Sequence, residues 1–360
     1  MTTRSRRKPS RVILITGVAG YWGSRLAARL GTEPGVHIIG LDAEPPPAGS
    51  KRCDFIQADV RNPLLADLLR SEAVHTVCHL KCVHRVRPSR AASDVNVRGT
   101  RNLLSACAEA DVKKVILKSS TMVYGAHPDN STSLSEEHAL RGGRRYGYVK
   151  DMLDIEALCR EFQRQAPQLR LTILRCANIV GPAVDSPMTR FLKNRWSPAL
   201  MGFDPMLQLI HEDDVLEALV HATCNDVPGA FNVAAERAMP LSQIMALAGK
   251  VQLPIPHPLA YWGAGVLGRG GSQLDRHLPI EPDYLRYPWV ADLTRMRDVM
   301  GFAARHTADE ALSEFAARHH FKSQPQALTS DAKRLRATIE RRRRASEQQA
   351  ANPPNGERHE

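Results

Sequence analysis

A glycine-rich segment near the start of the chain limits the possible folds most strongly. It spans Thr16–Gly23 (TGVAGYWG), follows the apolar run Val12–Ile15 and overlaps Trp22–Leu30, whose apolar side chains share one helical face. Glycine permits a tight turn, a close approach of the backbone to a ligand and close contact between helix and sheet. The pattern predicts a strand, a turn and a helix whose N-terminal amide groups bind a phosphate.

The three glycines of this turn have different expected roles. Gly17 permits the tight turn, Gly20 lets the backbone approach a pyrophosphate, and Gly23 lets the helix pack against the sheet. Tyr21 and Trp22 lie in the first turn of the helix, so we expect them to line the same ligand site.

Apolar runs alternate with helical patterns through the first half of the chain. Further buried strands are predicted at His37–Leu41, Val74–Leu80, Val115–Leu117 and Leu171–Leu174. Helical patterns lie between them at Val95–Ala110 and Asp151–Gln165. This alternation predicts an α/β fold, a doubly wound parallel sheet of the Rossmann type covered on both faces.

The pattern changes after Gly181, where prolines and loops become more frequent. We expect a cofactor-binding domain over residues 11–180 and a smaller mixed substrate lobe over 181–320, with some return to the main sheet. Residues 1–10 form a basic extension, and 321–360 have the composition of a basic, polar and partly disordered tail.

Charge and cysteine content restrict the partners and the compartment. The formal net charge is +11, but much of the excess lies at the two ends, including Arg341–Arg344, so we expect no nucleic-acid partner for the central region. The seven cysteines occur singly, which favours reduced thiols and a cytoplasmic location. No apolar segment has the length of a membrane span, and the N-terminus lacks a signal-peptide core.

An acidic residue ends the second predicted strand. Asp42 follows the glycine turn at the distance at which a carboxylate accepts hydrogen bonds from adenosine ribose hydroxyls and repels a 2′-phosphate. The pattern therefore predicts NAD as the cofactor rather than NADP. Asp59 and Val60 follow another short run and are expected at the adenine edge, although an aspartate at such a place can also be a helix cap.

Two later segments carry a family resemblance. Lys118–Gly125 (KSSTMVYG) follows a predicted strand, and Tyr146–Lys150 (YGYVK) opens a helix. Together with the glycine turn they resemble the extended short-chain dehydrogenase/reductase family, particularly its nucleotide-sugar epimerases and dehydratases, from about Arg11 to Phe302. The resemblance implies that Ser120, Tyr146 and Lys150 are catalytic, that Ser120 and Tyr146 also contact substrate, and that Tyr146 and Lys150 contact the cofactor.

The spacing of the last two residues suits acid–base chemistry. Tyr146 and Lys150 are four residues apart and would share one helical face. A nearby ammonium favours the phenolate and lowers the pKa of the tyrosine, which could then exchange a proton with a substrate hydroxyl during hydride transfer. Tyr124 and Tyr148 have the wrong spacing to Lys150.

Other segments extend the resemblance. Asn178 lies in LRCANIVGP, where the family's asparagine contacts the substrate diphosphate, and Asn96 matches a structural asparagine. In relatives, helices equivalent to Val95–Ala110 and Asp151–Gln165 pair into a dimer interface, so a homodimer is expected.

The chain departs from the family after the fourth strand. The family has a small-residue H-x-A-A segment lining the cofactor, and here the sequence is His79-Leu80-Lys81-Cys82. Leu80 and Lys81 are expected beside the cofactor, with the Lys81 charge near the pyrophosphate or the nicotinamide. Cys78 and His79 would point to opposite faces of a strand, so no metal site is expected.

The leading hypothesis is an NAD-dependent epimerase acting on a nucleotide-linked sugar, most simply a UDP-hexose 4-epimerase. Thr121 and Met122 follow Ser120, where a 4,6-dehydratase has an acidic pair, so the sequence disfavours dehydration. Two alternatives remain open. One is an NAD(P)-dependent dehydrogenase or ketoreductase of a non-sugar alcohol, and the other is a non-catalytic nucleotide-sensing or scaffold protein.

Overall fold

The computed structural model describes residues 11–46, 53–143, 145–194, 196–256, 258 and 282–319. Twelve strands lie in this part of the chain. They are β1 Arg11–Thr16, β2 Val36–Asp42, β3 Asp54–Gln57, β4 Thr76–His79, β5 Lys114–Ser120, β6 Arg170–Cys176, β7 Asn178–Val180, β8 Trp196–Leu200, β9 Met206–His211, β10 Gly229–Val233, β11 Ala238–Pro240 and β12 Val251–Ile255.

Seven of these strands form a parallel sheet in the order β10-β6-β5-β4-β1-β2-β3. The chain runs outward from β1 to β3 and then returns to the other side of β1 with β4. This reversal places a crevice between the carboxyl ends of β1 and β4, where open α/β sheets bind ligands. The predicted doubly wound fold is confirmed.

Ten α-helices accompany the strands in the described ranges. They are α1 Tyr21–Leu30, α2 Leu65–Ser71, α3 Arg90–Ser93, α4 Gly99–Glu109, α5 Gly147–Gln165, α6 Pro187–Lys193, α7 Glu212–Cys224, α8 Leu241–Leu247, α9 Thr294–Asp298 and α10 Ala308–Arg318. A single π-helical stretch, Asp94–Arg98, joins α3 to α4. No helix among the described residues combines the length and apolarity needed to cross a bilayer.

Alternating side chains of the sheet face two cores. Leu14 of β1 packs in one core with α2, α4 and α5, while its neighbours Ile13 and Ile15 pack in the other core with α1 and α7. All three side chains are at most 1% exposed. Strands covered on both faces explain why the sequence shows continuous apolar runs here rather than an apolar–polar alternation.

The part of the chain after residue 180 builds two small sheets and also returns to the large one. Strands β7, β9 and β11 form a mixed three-stranded sheet, and β8 pairs with β12. Strand β10 joins the main sheet beside β6. A smaller mixed lobe is therefore present, while the expected boundary between residues 180 and 181 stays a prediction. The predicted basic extension 1–10 and the tail, which lies within residues 320–360, are outside the described residues.

Candidate functional site

The glycine turn joins β1 to α1 in a conformation that requires glycine. Gly17 has a φ of +74°, and a Cβ there would lie 2.7 Å from the backbone nitrogen of Lys81. A Cβ on Gly23 would lie 2.2 Å from the carbonyl oxygen of Gly17. Gly20 is the N-cap of α1, so the helix begins at the turn with its N-terminal amide groups directed out of the sheet edge.

A cavity of about 180 Å³, which we call the cofactor cavity, lies at the switch point between β1 and β4. Its walls come from the glycine turn, from the segment after β4, from α5 and from the loop before α6. The residues that line it include Gly17, Gly20, Tyr21, Trp22, Leu80, Lys81, Cys82, His84, Lys118, Tyr148, Met152, Ile155 and Asp185. Six of the twelve residues expected to contact the cofactor thus line one cavity, and their individual contacts with a cofactor stay predictions.

The expected ribose ligand is already bonded within the protein. Asp42 is 3% exposed, and its Oδ2 accepts a hydrogen bond from the amide of Ala19 at 3.1 Å. Its Oδ1 accepts a hydrogen bond from Lys81 Nζ at 2.7 Å. Lys81 therefore points toward the end of β2, whereas the sequence suggested a position near the pyrophosphate or the nicotinamide.

Asp59 and Val60 lie beyond β3 and do not line the cofactor cavity in the described part of the chain. The Asp59 carboxylate binds the Arg61 guanidinium at 2.8 and 2.7 Å, and this hydrogen bonding holds the pKa of Asp59 below its usual range. Val60 is 3% exposed and packs against Gly99 at the start of α4. Their placement at the adenine edge stays a prediction.

Cys78 and His79 have protein partners on both sides of β4. The Cys78 thiol lies 3.2 Å from the Thr223 hydroxyl, and burial raises its pKa to about 12. His79 Nδ1 lies 2.7 Å from the Thr16 hydroxyl and Nε2 lies 2.9 Å from the Thr100 hydroxyl. Burial lowers the pKa of His79 to about 4, so the ring is neutral near pH 7. These contacts account for both side chains without a metal ion.

A second group of potential ligands lies where α10 packs against the start of α7. His211, Asp213 and His306 bring one nitrogen or oxygen each within 4.8 Å of one another. His211 Nδ1 accepts the Asp213 amide hydrogen at 3.1 Å, and its Nε2 lies 3.2 Å from the Glu314 carboxylate. Both ring nitrogens of His211 are thus used in helix capping and docking, so we assign this cluster a structural role.

A smaller cavity of about 40 Å³, the substrate cavity, adjoins the cofactor cavity. Ser120 and Asn178 line it, as do Ser119, Met122 and Cys176. The five residues that line both cavities are Trp22, His84, Lys118, Tyr148 and Asp185. The predicted serine and asparagine are therefore brought to one site beside the glycine turn.

Tyr146 and Lys150 occupy other positions. Tyr146 is the N-cap of α5 and is 4% exposed, and its ring centroid lies 6.5 Å from that of Tyr148. Lys150 Nζ donates a hydrogen bond to Asp154 at 2.7 Å. Neither side chain lines either cavity among the described residues. Their catalytic assignment rests on the motif and stays a prediction.

Sequence reasoning missed three side chains shared by the two cavities. The Y-x-x-x-K spacing passes over Tyr148, and the motifs give no cofactor or substrate role to His84 or Lys118. The Lys118 ammonium lies 5.4 Å from the Trp22 ring centroid, within the range of a cation–π contact. The available signal was the repeat Tyr148, Met152 and Ile155, whose spacings of four and three residues mark one helical face.

A buried polar network lies directly behind this site. The Glu156 carboxylate binds the Arg175 guanidinium, with Nη2 to Oε2 at 2.7 Å, and accepts the Ser119 hydroxyl at 2.6 Å. Arg175 also donates to the Tyr124 hydroxyl at 2.8 Å. Because Glu156 is on α5 and Arg175 is on β6, the network fixes the helix against the sheet.

Comparison with known proteins gives a consistent result. A family model described as the NAD dependent epimerase/dehydratase family matches residues 13–234. An uncharacterized protein of Mycobacterium tuberculosis is 35% identical over 316 residues, covering 85% of this chain and 83% of that protein. The UDP-glucose 4-epimerase of Lactobacillus helveticus is 26% identical over 348 residues, covering 87% and 98%.

Solved structures share the fold. The structure of MoeE5 in complex with UDP-glucuronic acid and NAD superposes with a TM-score of 0.66 at 23% identity, covering 86% of this chain and 98% of that one. The expected family and the expected cofactor, NAD, are both confirmed. With its glycine turn, switch-point cavity and matching family model, this chain belongs to the NAD-dependent epimerase/dehydratase family, within the extended short-chain dehydrogenases/reductases.

Proposed function

We propose that the chain transfers hydride at a secondary alcohol carbon of a nucleotide-linked sugar, most simply as a UDP-hexose 4-epimerase. One observation carries the proposal: the cavity beside the glycine turn shares a wall with the cavity that contains Ser120 and Asn178. A cofactor held at the glycine turn and a substrate hydroxyl placed beside Ser120 would be neighbours, as hydride transfer requires.

The residues at the glycine turn fit a dinucleotide. The Cβ positions of Gly17 and Gly23 are filled by backbone atoms, and the N-terminus of the ten-residue α1 is oriented for a pyrophosphate. When bound, NAD supplies a reversible hydride acceptor. Asp42 would meet the adenosine ribose, and Tyr21, Trp22 and Leu80 would form the surrounding walls.

The remaining roles follow the motif. Ser120 would hydrogen-bond the reacting oxygen, and a tyrosine at the start of α5 would exchange its proton. From the Y-x-x-x-K spacing alone, the expected residues are Tyr146 for this proton exchange and Lys150 as the neighbouring ammonium that also holds the cofactor ribose. Asn178 would contact the diphosphate of the substrate. Its amide donates to the Gln208 carbonyl at 3.0 Å, which fixes its position in the substrate cavity.

Two comparisons support a nucleotide-linked sugar as the substrate class. The Lactobacillus helveticus relative is a UDP-glucose 4-epimerase and matches over nearly its whole length. The MoeE5 structure, which has the same fold, contains UDP-glucuronic acid. Within this class epimerisation is favoured over dehydration, because Thr121 and Met122 supply no acidic pair after Ser120.

Cofactor behaviour tests the proposal and separates it from the alternatives. The purified protein is examined by native mass spectrometry for bound NAD and then incubated with UDP-, GDP- and dTDP-sugars. An epimerase converts one of these sugars without net consumption of added NAD or NADH. Stoichiometric oxidation or reduction of a non-sugar alcohol would instead identify a dehydrogenase. Tight nucleotide binding with no turnover of either substrate class would favour a sensing role.

We also propose a cytoplasmic homodimer formed through α4 and α5. Support for the compartment comes from the seven cysteines, which are all free thiols and all lie within the described ranges. Support for the interface comes from the adjacency of the two helices, which Arg101 and Glu161 bridge at 3.9 Å. Light scattering of the purified protein should give twice the chain mass, and a monomer at micromolar concentration would contradict the proposal.

A further inference from the structure

The register of helix α5 is fixed at its N-terminus by the segment that follows β4. The amides of Gly147 and Tyr148 donate to the carbonyls of Val86 and Arg85 at 2.7 and 2.9 Å. A Cβ on Gly147 would lie 2.4 Å from the carbonyl oxygen of Arg87. The helix start therefore lies directly against the chain that lines the cofactor cavity, and it cannot rotate without breaking these contacts.

The register is fixed a second time, two turns further along the helix. Glu156 is 1% exposed, and its carboxylate is bound by Arg175 and by the Ser119 hydroxyl. Ser119 directly precedes Ser120, the residue expected to contact the reacting oxygen. Rotation of α5 by two residues would leave the buried Arg175 guanidinium without its carboxylate, which is strongly destabilising.

With this register, a single face of α5 meets the cofactor cavity. Tyr148, Met152 and Ile155 line it, at spacings of four and three residues. Residues two apart on a helix point about 200° away from each other. Lys150 therefore cannot share the wall with Tyr148, and its ammonium is bonded to Asp154 instead. In the position four residues after Tyr148, the helix carries Met152 rather than a lysine.

Tyr148 stands where the two cavities meet. It lines both of them, and Ser120 lines the smaller one with it. Its ring stacks on that of His84, with centroids 4.2 Å apart and planes 17° apart. Burial lowers the pKa of His84 to about 3, so this neighbour is a neutral imidazole near pH 7. Five residues of the described chain line both cavities, and among these five only Lys118 carries an ammonium group.

We propose that Tyr148, rather than Tyr146, is the phenol that exchanges a proton with the substrate hydroxyl. This inference rests on the proposed function and names the acid–base residue of that same site. In the oxidation half-reaction the carbinol C–H bond breaks and its electron pair leaves with the hydrogen as hydride to NAD. The hydroxyl proton passes to the Tyr148 phenolate, and a carbonyl forms. In the return half-reaction hydride attacks the other face and Tyr148 gives the proton back.

The environment of Tyr148 sets its resting form. Burial raises the pKa of Tyr148 well above its ordinary value, so the cofactor-free protein holds a neutral phenol. Its own proton must leave to solvent before the phenolate can act. A positive charge near the phenol favours that loss, and we assign this role to Lys118, which lines both cavities together with Tyr148.

Paired substitutions test the assignment by activity. Tyr148→Phe removes one oxygen, and we expect kcat on the turned-over nucleotide sugar to fall about 100-fold or more, as for loss of a general acid–base. For Tyr146→Phe we expect the fold-decrease in kcat to be at least ten times smaller than for Tyr148→Phe. Tyr287→Phe, at a tyrosine that lines neither cavity, controls for the substitution itself and should retain the wild-type rate. A larger loss in the Tyr146 variant than in the Tyr148 variant would overturn the inference.

A second measurement needs no substrate. The protein is labelled with 3-fluorotyrosine, and the Tyr146 and Tyr148 resonances are assigned by their absence in the two phenylalanine variants. Saturation with NADH should shift the Tyr148 resonance more than that of Tyr146. The opposite order with tight NADH binding overturns only this inference, whereas failure to bind NADH overturns the proposed function as well.

Discussion

Lys81 Nζ lies 2.7 Å from Oδ1 of Asp42, and this ion pair joins the segment after β4 to the end of β2. The other carboxylate oxygen of Asp42 accepts the Ala19 amide, and the side chain is 2% exposed. The acidic residue expected to distinguish NAD from NADP is therefore neutralised by a residue of the same cavity. A cofactor ribose must compete with Lys81 for Oδ1, and a 2′-phosphate would meet less repulsion than an unpaired carboxylate gives.

Removal of the Lys81 ammonium should increase the preference of the protein for NADH over NADPH. In Lys81→Met the stem length is kept and the Asp42 carboxylate is released, so the affinity ratio of NADH to NADPH should rise by about tenfold, the size of one charge-assisted hydrogen bond. Fluorescence titration with both reduced cofactors measures the ratio. Lys113→Met, which removes an exposed lysine paired with Asp111, is the matched control. An unchanged ratio would show that Lys81 does not affect the ribose site.

Alanine at the glycine turn should weaken cofactor binding strongly. Gly17→Ala combines a φ of +74° with a Cβ 2.7 Å from the backbone of Lys81, so the turn must shift away from the pyrophosphate position. We expect NADH affinity to fall more than tenfold. Gly202→Ala has a similar φ of +82° but open space around it, so it carries only the roughly 1–2 kcal/mol of left-handed backbone strain. Equal NADH affinities in the two variants would contradict the assignment of the glycine turn to cofactor binding.

The network behind the site should contribute strongly to stability. Glu156→Gln leaves Arg175 as a buried charge without its carboxylate, and we expect the free energy of unfolding to drop by about 3–5 kcal/mol. Urea denaturation measures this loss. Asp67→Asn, which breaks an exposed pair with Arg70, should change stability by less than about 1 kcal/mol. Comparable effects would mean that the buried pair does not hold α5 to the sheet.

The buried His79 and the half-buried His84 should make the fold sensitive to mild acid. The pKa of His79 is lowered to about 4 and that of His84 to about 3, because burial disfavours the charged ring. Below pH 6.5 the unfolded chain binds protons that the folded chain does not, so stability falls as the pH decreases toward 4. Each ring contributes roughly 1.4 kcal/mol per pH unit in this window.

Substitution of His84 measures how much this one histidine contributes to the dependence of the unfolding free energy on pH. His84→Phe keeps a planar ring against Tyr148 and removes the titration. Its unfolding free energy should fall less steeply than that of the wild type between pH 6.5 and 5. Parallel slopes would mean that the folded protein does not hold His84 as a neutral ring.

Local chemistry made much of the fold predictable from the sequence. The glycine turn and the strand before it depend on neighbouring residues, and they occur at Gly17 and β1 as expected. The helix predicted at Val95–Ala110 differs in detail, because a π-helical stretch at Asp94–Arg98 precedes α4. Asn96 explains this interruption: its side chain bonds both backbone groups of Val83 and the Asp151 carboxylate, which are contacts between distant segments.

The site was less predictable, because tertiary contacts decide which helical face meets the cavity. The motif places Tyr146 and Lys150 four residues apart, and the competing spacing of Tyr148, Met152 and Ile155 does not by itself show which face meets the cavity. Glu156 and Arg175 orient α5 so that Tyr148 lines the cavity, and they are 19 residues apart in sequence. The Asp42–Lys81 pair likewise joins residues 39 positions apart. Neither pairing can be read from a local pattern.

The most direct test of the central claim follows the hydrogen atom at the reacting carbon. The purified protein, with its bound NAD and no added reductant, is incubated with UDP-glucose that carries deuterium at C4. The products are separated, and their deuterium content is measured by mass spectrometry. We predict UDP-galactose that retains the deuterium at C4, because the hydride leaves to the cofactor and returns to the same carbon. Should UDP-glucose prove not to be the substrate, the same label is placed in the nucleotide sugar identified by the screen. Loss of the deuterium to solvent, or protein that contains no NAD and converts no nucleotide sugar, would contradict the account.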